Sequence, residues 1–230
     1  MKRKALLIGN SNGLAGVKLD ISNMSSFLTS DRGGAWNSSE IVVLMNPTKI
    51  ELAAAIKKVK EERPDFSVVL FSGHGGYRKQ TVLELNKDGE TVEESLLLNI
   101  AQRQITILDC CRSVIQTVAK ALDSVSFAAL RESYNPVRER YDQRIMQAIP
   151  QQVQLYGCSV GQASYDTSNG AVYLNNFLAA AKAIDTSSSS KTVGMAHAEA
   201  AELTKKQKDQ TPDSVLPKCL TSQQLIIAIK

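Results

Sequence analysis

Phe-Ser-Gly-His-Gly-Gly at residues 71–76 and Ile-Leu-Asp-Cys-Cys-Arg-Ser at residues 107–113 are the stretches that decide the fold of this chain. Each of them begins at the end of a short, continuous run of apolar side chains. The run is Val68–Phe71 in the first case and Ile105–Leu108 in the second. Continuous rather than alternating apolar runs are typical of strands buried on both faces of a parallel sheet. Because ligands and catalytic groups gather at the carboxyl ends of such strands, the two stretches also predict where the functional site lies.

Helical segments alternate with these strands in the first half of the chain. Two further apolar runs lie nearer the amino terminus, Ala5–Ile8 and Ile41–Met45. Residues 19–28 and 50–59 have the spacing of amphipathic helices, the second with Thr48 as N-cap and Glu51 completing a capping box. The alternation of strand and helix predicts an α/β fold with right-handed crossovers.

The rest of the chain does not continue this regular alternation of strand and helix. Asp-Gly within residues 86–89 predicts a hairpin between strands at 81–85 and 91–98, and residues 114–150 form a long, charged connection. The remaining predicted elements are a strand at 153–156, helices at 173–184 and 193–207, a polar spacer at 186–190, and edge strands at 214–216 and 225–229.

Composition excludes several classes of protein. The 230 residues are 43% hydrophobic and 22% charged, with 27 Lys and Arg against 23 Asp and Glu and no dense basic stripe, so nucleic-acid binding has no support. Four cysteines are too few for a disulfide scaffold, and two histidines without a CxxC pair argue against zinc. No run approaches the ~18 apolar residues of a membrane span, and the apolar run after the basic start is too short for a signal peptide. We expect a cytoplasmic protein with no cofactor and no membrane partner.

His74 and Cys111 follow two strands that we expect to be neighbours, at the same edge of the sheet. A cysteine nucleophile with a histidine base has this arrangement, and backbone amides of Gly75 and Cys111 are candidates for an oxyanion hole. Taken singly, each residue has a plainer interpretation, a surface histidine or a small buried cysteine. The loop at 9–13 is interpreted as a turn, since it lacks the spacing of phosphate-binding fingerprints, although a nucleotide-binding regulator stays open as a minor alternative.

The paired motifs resemble the caspase-fold cysteine peptidases, especially the metacaspases and their bacterial relatives. The Cys-Arg step is similar to the caspase cysteine signature, while the separation of 111 − 74 = 37 residues is shorter than the ~50 of caspases. Further stretches similar to the family are Ala5–Gly9 with Leu14-Ala15-Gly16 and Asp20, Tyr156-Gly157-Cys158 with Gln162 and Asp166, and Gln210-Thr211-Pro212. The resemblance implies a caspase-like three-layer sandwich with a mostly parallel central sheet flanked by helices.

By this resemblance, Cys111 is the nucleophile and His74 its partner, while Cys110 is structural. The implied reaction is attack of the Cys111 thiolate on a peptide carbonyl, with an acyl-enzyme that water hydrolyses. Metacaspases cleave after basic residues, and three residues match their acidic pocket for the side chain at P1, the substrate residue that precedes the cleaved bond: Asp20, Ser72 and Asp109. Two carboxylates in one slot favour Lys or Arg and reject acidic side chains.

The resemblance also implies a single domain over 1–230, with a large-subunit-like part at 1–113, a linker at about 114–150 and a small-subunit-like part at about 151–230. Family linkers can be cut by the enzyme itself, which makes four arginines candidate self-cleavage points: Arg131, Arg138, Arg140 and Arg144. The alternative for this segment is a solvated helix pair at the sheet edge.

Some positions depart from the metacaspase pattern. Arg112 stands where a His is common, Val17 where a Cys is common, and Val160 and Gly161 where acidic residues are common. We therefore predict no obligatory metal. The expected function is a cysteine endopeptidase acting on protein or peptide substrates after Arg or Lys, a regulated bacterial effector with an activating protein partner. The alternative is a caspase-fold binding or scaffold protein without catalysis.

Overall fold

The structure, a computed structural model, describes residues 1–114 and 135–230. Its strands are β1 (Arg3–Gly9), β2 (Ile41–Met45), β3 (Phe66–Ser72), β4 (Gly75–Tyr77), β5 (Thr81–Glu84), β6 (Thr91–Glu93), β7 (Arg103–Asp109), β8 (Gln151–Tyr156), β9 (Ser190–Thr192), β10 (Asp213–Val215) and β11 (Ile226–Ile229). Its α-helices are α1 (Val17–Thr29), α2 (Lys49–Glu61), α3 (Pro136–Gln147), α4 (Val172–Lys182) and α5 (Val193–Gln207).

Six strands form the central sheet, in the order β10-β8-β7-β3-β1-β2. All of them run parallel except β10, which pairs antiparallel with β8 at one edge. The three strands β1, β3 and β7 are almost wholly buried, as their continuous apolar sequences predict. The prediction of an α/β fold with a mostly parallel sheet is confirmed.

Successive side chains of the central strands point to opposite faces of the sheet and pack into two separate apolar layers. On one face, residues such as Leu7 and Leu70 pack with α1, α3 and α4 through Met24, Tyr141 and Phe177. On the other face, a second group of strand side chains packs with α2 and with the sheet of β4, β5 and β6. The molecule is therefore a sandwich of three layers with the sheet in the middle.

Several elements differ from the sequence prediction. The charged connection at 114–150 contains α3, whose Tyr141 and Ile145 are fully buried in the core and whose N-cap, Asn135, accepts from two backbone amides. Residues 94–97 form a 3-10 turn instead of continuing the hairpin strand, and the short strands β4 and β9 were not predicted. Within the two described ranges, no helix is both long and apolar enough to cross a bilayer.

The start of α2 is fixed by the capping box that the sequence predicts. The Thr48 hydroxyl accepts from the Glu51 amide at 3.2 Å, and a Glu51 carboxylate oxygen accepts from the Thr48 amide at 2.8 Å. We expect Thr48→Ala to lower the free energy of unfolding by about 1 kcal/mol, because an amide at the helix start loses its partner. Thr48→Ser keeps the hydroxyl and should stay close to wild type in urea denaturation; an equal loss in both variants would contradict this role of the cap.

Candidate active site

The register of the central strands brings two motif residues side by side. Ser72, at the end of β3, is the register partner of Asp109, at the end of β7, and Gly9 of β1 lies opposite Ser72. Backbone hydrogen bonds hold the residues that follow two of these strands against the neighbouring strand. The Gly73 amide donates to the Asp109 carbonyl at 3.2 Å, and the Asn10 amide donates to the Ser72 carbonyl at 2.9 Å. The loops that carry the histidine and the cysteine therefore start from one rigid edge.

Cys111 lies just beyond β7 and is partly exposed. Its thiol is 3.7 Å from the Ser164 carbonyl, to which it donates. The neighbouring Cys110 points to the other side, where it is fully buried in the apolar layer next to α2. Burial raises the pKa of the Cys110 thiol well above its ordinary value. The structure therefore gives Cys111 access to a ligand and keeps Cys110 protonated.

The imidazole of His74 is oriented by a backbone group. Its Nε2 lies 2.6 Å from the carbonyl oxygen of Asn12. A carbonyl oxygen can only accept, so Nε2 carries the hydrogen and, in the neutral ring, Nδ1 is the atom that can take a proton. The Asn12 carbonyl thus orients the histidine, and no sequence signal could have identified it, because every residue has a carbonyl oxygen.

A small cavity joins the two motif residues with the acidic groups behind them. It has a volume of about 40 Å³, and its lining includes His74, Cys111, Ser72, Asp109 and Asp166. That volume holds a few water molecules at most. Of the residues predicted for the acidic pocket, Ser72 and Asp109 line the cavity directly.

Gly75 lies against the loop that carries Cys110 and Cys111. A Cβ placed on it would come within 2.7 Å of the Cys110 sulfur and 2.9 Å of the Cys111 carbonyl oxygen. Only a residue without a side chain allows this approach of two backbones. The predicted oxyanion donors, the amides of Gly75 and Cys111, therefore belong to segments that the structure brings into contact.

Asp20 and Asp109 are buried carboxylates whose oxygens are all engaged by the protein. Asp20 accepts from the Ser72 hydroxyl at 2.6 Å and from the Ala171 amide at 2.9 Å. Asp109 accepts from the Ser164 hydroxyl and, at 2.9 Å, from the Leu174 amide. Asp20 is fully buried behind Ser72 and is not part of the cavity lining.

Desolvation makes both carboxyl groups weaker acids. Burial raises the pKa of Asp20 to about 6 and that of Asp109 to about 7, although their hydrogen bonds act in the opposite direction. Asp166 adds repulsion to both of them, and Asp20 adds repulsion to Asp109. The three carboxyl groups therefore form one acidic cluster beside Cys111.

Asp166 is the member of this cluster that was not among the predicted pocket residues. One of its carboxylate oxygens accepts from the Gly16 amide at 3.1 Å, at the start of α1. The other oxygen, Oδ1, is buried and has no hydrogen-bond partner. The signal for Asp166 was present in the sequence, in the stretch after Cys158 that resembles the family, but only the fold shows that it reaches the slot.

Each of the three carboxylates has an oxygen packed against a glycine. A Cβ on Gly16 would clash with Asp166, one on Gly157 with Asp109, and one on Gly170 with Asp20. Any side chain at these glycines would displace a carboxylate, so the acidic cluster depends on all three of them.

The side chain of Arg112 anchors the loop that carries Cys111. Its buried guanidinium lies 3.9 Å from the Tyr156 ring centroid and donates to the Thr81 hydroxyl at 3.2 Å and to the Cys158 carbonyl at 3.3 Å. It also pairs with Asp213 of β10 at 3.4 Å. These contacts explain how the chain accommodates an arginine after Cys111, where the resemblance led us to expect a histidine.

The four arginines proposed for self-cleavage differ in their structural setting. Arg131 lies outside the described residues. Arg138, Arg140 and Arg144 are all within α3, where Arg138 makes a two-point pair with Glu40 at 2.5 and 2.7 Å and Arg144 donates to the Thr221 carbonyl at 3.2 Å. A helical segment must unwind before an active site can hold it in extended form.

Comparisons with known proteins agree on the type of domain. Residues 2–218 match a family model described as a caspase domain. Metacaspase-1 of Scheffersomyces stipitis is 39% identical over 95 residues, which are 35% of this chain and 23% of that protein. Metacaspase-1 of Meyerozyma guilliermondii is 38% identical over 93 residues, 34% of this chain and 22% of that protein. The match thus spans under a quarter of the length of these curated relatives.

A solved structure supports the architecture. The crystal structure of caspase-1 from Spodoptera frugiperda superimposes with a TM-score of 0.60, at 13% sequence identity, over 93% of this chain and 86% of that one. The three-layer sandwich expected from the paired motifs is therefore confirmed as caspase-like.

The buried state of Asp20 makes the stability of the protein dependent on pH. Its folded pKa of about 6 exceeds the ~3.9 of an unfolded aspartate, so between these values the folded protein holds a proton that the unfolded chain has lost. The Asp20 contribution to stability therefore falls as pH rises from about 4 to about 7. We expect the wild type to lose stability relative to Asp20→Asn over this range in urea denaturation.

Asp31→Asn is the matched control, because Asp31 is exposed on the surface. Its stability should follow that of the wild type across the pH range. Parallel curves for wild type and Asp20→Asn would contradict a raised pKa at Asp20.

Proposed function

Because the chain belongs to the caspase-domain family of cysteine peptidases, we propose that it is an endopeptidase that cleaves after Arg or Lys through Cys111 and His74. One observation carries the proposal: the partly exposed thiol, the imidazole and two carboxylates line the same cavity at the carboxyl edge of the sheet. The substrate is a protein or peptide. A catalytically silent scaffold is the less favoured alternative, because both reacting side chains are present and face one cavity.

The geometry supports a specific division of tasks in acylation. His74 Nδ1 takes the proton of the Cys111 thiol, while the Asn12 carbonyl holds the ring through Nε2. The thiolate sulfur then forms a bond to the peptide carbonyl carbon, and the amides of Gly75 and Cys111 donate to the oxyanion. As the C–N bond breaks, the imidazolium returns its proton to the leaving amine, and a thioester remains on Cys111.

Deacylation, the hydrolysis of the thioester, uses the same two side chains, His74 and Cys111. His74 removes a proton from a water molecule, whose oxygen attacks the thioester carbonyl. The C–S bond breaks, the carboxylic acid product leaves, and the proton on the imidazole returns to the Cys111 sulfur. The enzyme is then ready for another substrate.

The acidic cluster supports a preference for substrates with Arg or Lys at P1. Buried carboxylates close together are costly without a cation beside them, and a bound ammonium or guanidinium would relieve their mutual repulsion. An acidic P1 side chain would add to that repulsion. We assign Ser72 and Asp109 to the lining of this pocket, with Asp20 acting from behind it through the Ser72 hydroxyl.

The narrow slot supports regulation of the enzyme. The cavity is small, about 40 Å³, which supports a slot that an activating event opens further. An activating protein partner or self-cleavage could supply that event, as in a regulated effector protease. The large-subunit-like and small-subunit-like parts both contribute strands to the central sheet, which supports one domain with the proposed linker between them.

A panel of fluorogenic peptides with Arg, Lys or Asp at P1 tests the proposed function. We expect hydrolysis of the Arg and Lys substrates only. Cys111→Ala and His74→Ala should each lower kcat/KM by on the order of a thousandfold or more, because each removes a group that takes part in bond making.

Cys219→Ala serves as the matched cysteine control, since Cys219 is partly exposed and lies outside the cavity. It should retain wild-type rates. Hydrolysis that survives in Cys111→Ala, or a preference for Asp at P1, would refute the proposal.

Self-cleavage is tested by incubating purified protein and measuring intact masses. We expect wild-type protein to be nicked while Cys111→Ala stays intact. Because Arg138 is held by Glu40 within a packed helix, cleavage after Arg138 should be absent in the folded chain. A cut there, or nicking of the Cys111→Ala protein, would contradict this expectation.

A further inference from the structure

Asn10 is a fully buried polar residue in the loop after β1, and no step of the proposed reaction uses it. It does not line the cavity that contains Cys111 and His74. Both ends of its side-chain amide form hydrogen bonds: Oδ1 accepts from the Asn12 amide at 3.1 Å, and Nδ2 donates to the Glu84 carbonyl at 2.9 Å. A buried side-chain amide that is satisfied at both ends fixes the backbone segments that it joins.

The first of these bonds restrains the carbonyl group that orients the imidazole. Asn12 and Gly13 are the central residues of an exposed turn at 11–14, and Gly13 has a φ of +69°, as the third residue of a type II turn does. Turn types I and II differ in the orientation of the peptide between these two residues, which is the peptide whose carbonyl meets His74 Nε2. The bond to Asn10 anchors this turn to a buried side chain and so limits how the carbonyl can rotate.

The second bond leads to the backbone of His74 itself. Glu84 of β5, whose carbonyl accepts from Asn10, donates its own amide to the His74 carbonyl at 3.0 Å. Gly73 packs directly on the asparagine, since a Cβ placed on Gly73 would come within 2.8 Å of the Asn10 Cβ. The asparagine therefore supports His74 through its ring, through its carbonyl and through the residue that precedes it.

We propose that Asn10 is a positioning residue for His74, which it holds toward Cys111 through the Asn12 carbonyl and through the backbone of Glu84. This inference rests on the proposed peptidase function and adds to it a residue that touches neither the sulfur nor the cavity. His74 is partly exposed, and an imidazole on an exposed loop can turn away from the thiol. A general base is effective only while it lies within hydrogen-bond reach of the proton that it takes.

Steady-state kinetics with the fluorogenic peptide that the wild type cleaves fastest give the first test. We expect Asn10→Ala to lower kcat about 10- to 100-fold with KM within about threefold, because the base is present but poorly held. The loss should be smaller than in His74→Ala. Asn10→Ser keeps an oxygen that can accept from the Asn12 amide and loses only the bond to Glu84, so its kcat should lie between those of Asn10→Ala and wild type.

Asn86→Ala is the matched control, because Asn86 makes the same kind of contacts elsewhere. It is buried, its Oδ1 accepts from the Asp88 amide at 3.1 Å, and its Nδ2 donates to the Pro47 carbonyl at 3.0 Å. It lies outside the cavity lining. Asn86→Ala should lose about as much stability as Asn10→Ala in urea denaturation and should keep the wild-type kcat. If Asn10→Ala does not fold, Asn10→Ser is compared with Asn86→Ser instead.

A double-mutant cycle on the alkylation of Cys111 by iodoacetamide separates positioning of His74 from a general effect on the fold. The rate is followed by mass spectrometry of the peptide that contains Cys111, so the measurement needs no substrate. Asn10→Ala should slow the reaction when His74 is present and should have no further effect in His74→Ala, because its influence passes through the imidazole.

The outcomes separate this role from the proposed function. Equal slowing by Asn10→Ala in both backgrounds, or a wild-type kcat in the folded Asn10→Ala protein, would overturn the role of Asn10 and leave the peptidase standing. Hydrolysis and alkylation that are both independent of His74 would refute the proposed dyad, and the role of Asn10 with it. If the wild type cleaves no peptide, the alkylation cycle decides alone. Slowing confined to proteins that keep His74 supports the inference.

Discussion

The pairing of β3 with β7 is the constraint on which the rest of the site depends. A parallel register fixes Ser72 opposite Asp109, and the chain leaves both strands at the same height. His74 and Cys111, each two residues further on, therefore emerge over the same edge. A shift of the register by one residue would turn every buried side chain of β7 to the opposite face and would lose the core and the site together.

A second constraint is that the fold buries the carboxyl groups of Asp20 and Asp109, and burial away from water disfavours their charged form. The fold meets this with hydrogen bonds to Asp20 and Asp109 and with glycines at 16, 157 and 170 that leave space for carboxylate oxygens. The raised pKa values of Asp20 and Asp109 show that these contacts do not fully offset desolvation. This cost of buried negative charge is the basis on which we propose a positively charged ligand for the site.

The sequence predicts much of this arrangement because the relevant signals are local. Continuous apolar runs identify the buried strands, the spacing of Thr48 and Glu51 identifies the start of α2, and two short motifs place His74 and Cys111 at one edge. The helix α3 was harder to predict, since its mean hydropathy is low and only Tyr141 and Ile145 are buried.

Other features could not be predicted because they join residues that are distant in the chain. The Asn12 carbonyl that orients His74 has no side-chain signature, and Asp166 meets Gly16 across 150 residues of sequence. Asp20 was expected in the pocket, but the tight packing of Gly170 against it shows how deeply the fold encloses it. Such contacts follow from the three-dimensional packing of loops and have no local pattern.

The buried guanidinium of Arg112 has a consequence for how the molecule would lose activity under stress. It ties the residue after Cys111 to β5, to Cys158 just beyond β8 and to the short edge strand β10. Edge strands fray at lower free energy than the centre of a sheet. Loosening at β10 would therefore reach the thiol while the apolar layers remain intact, so that activity would be lost before the core unfolds.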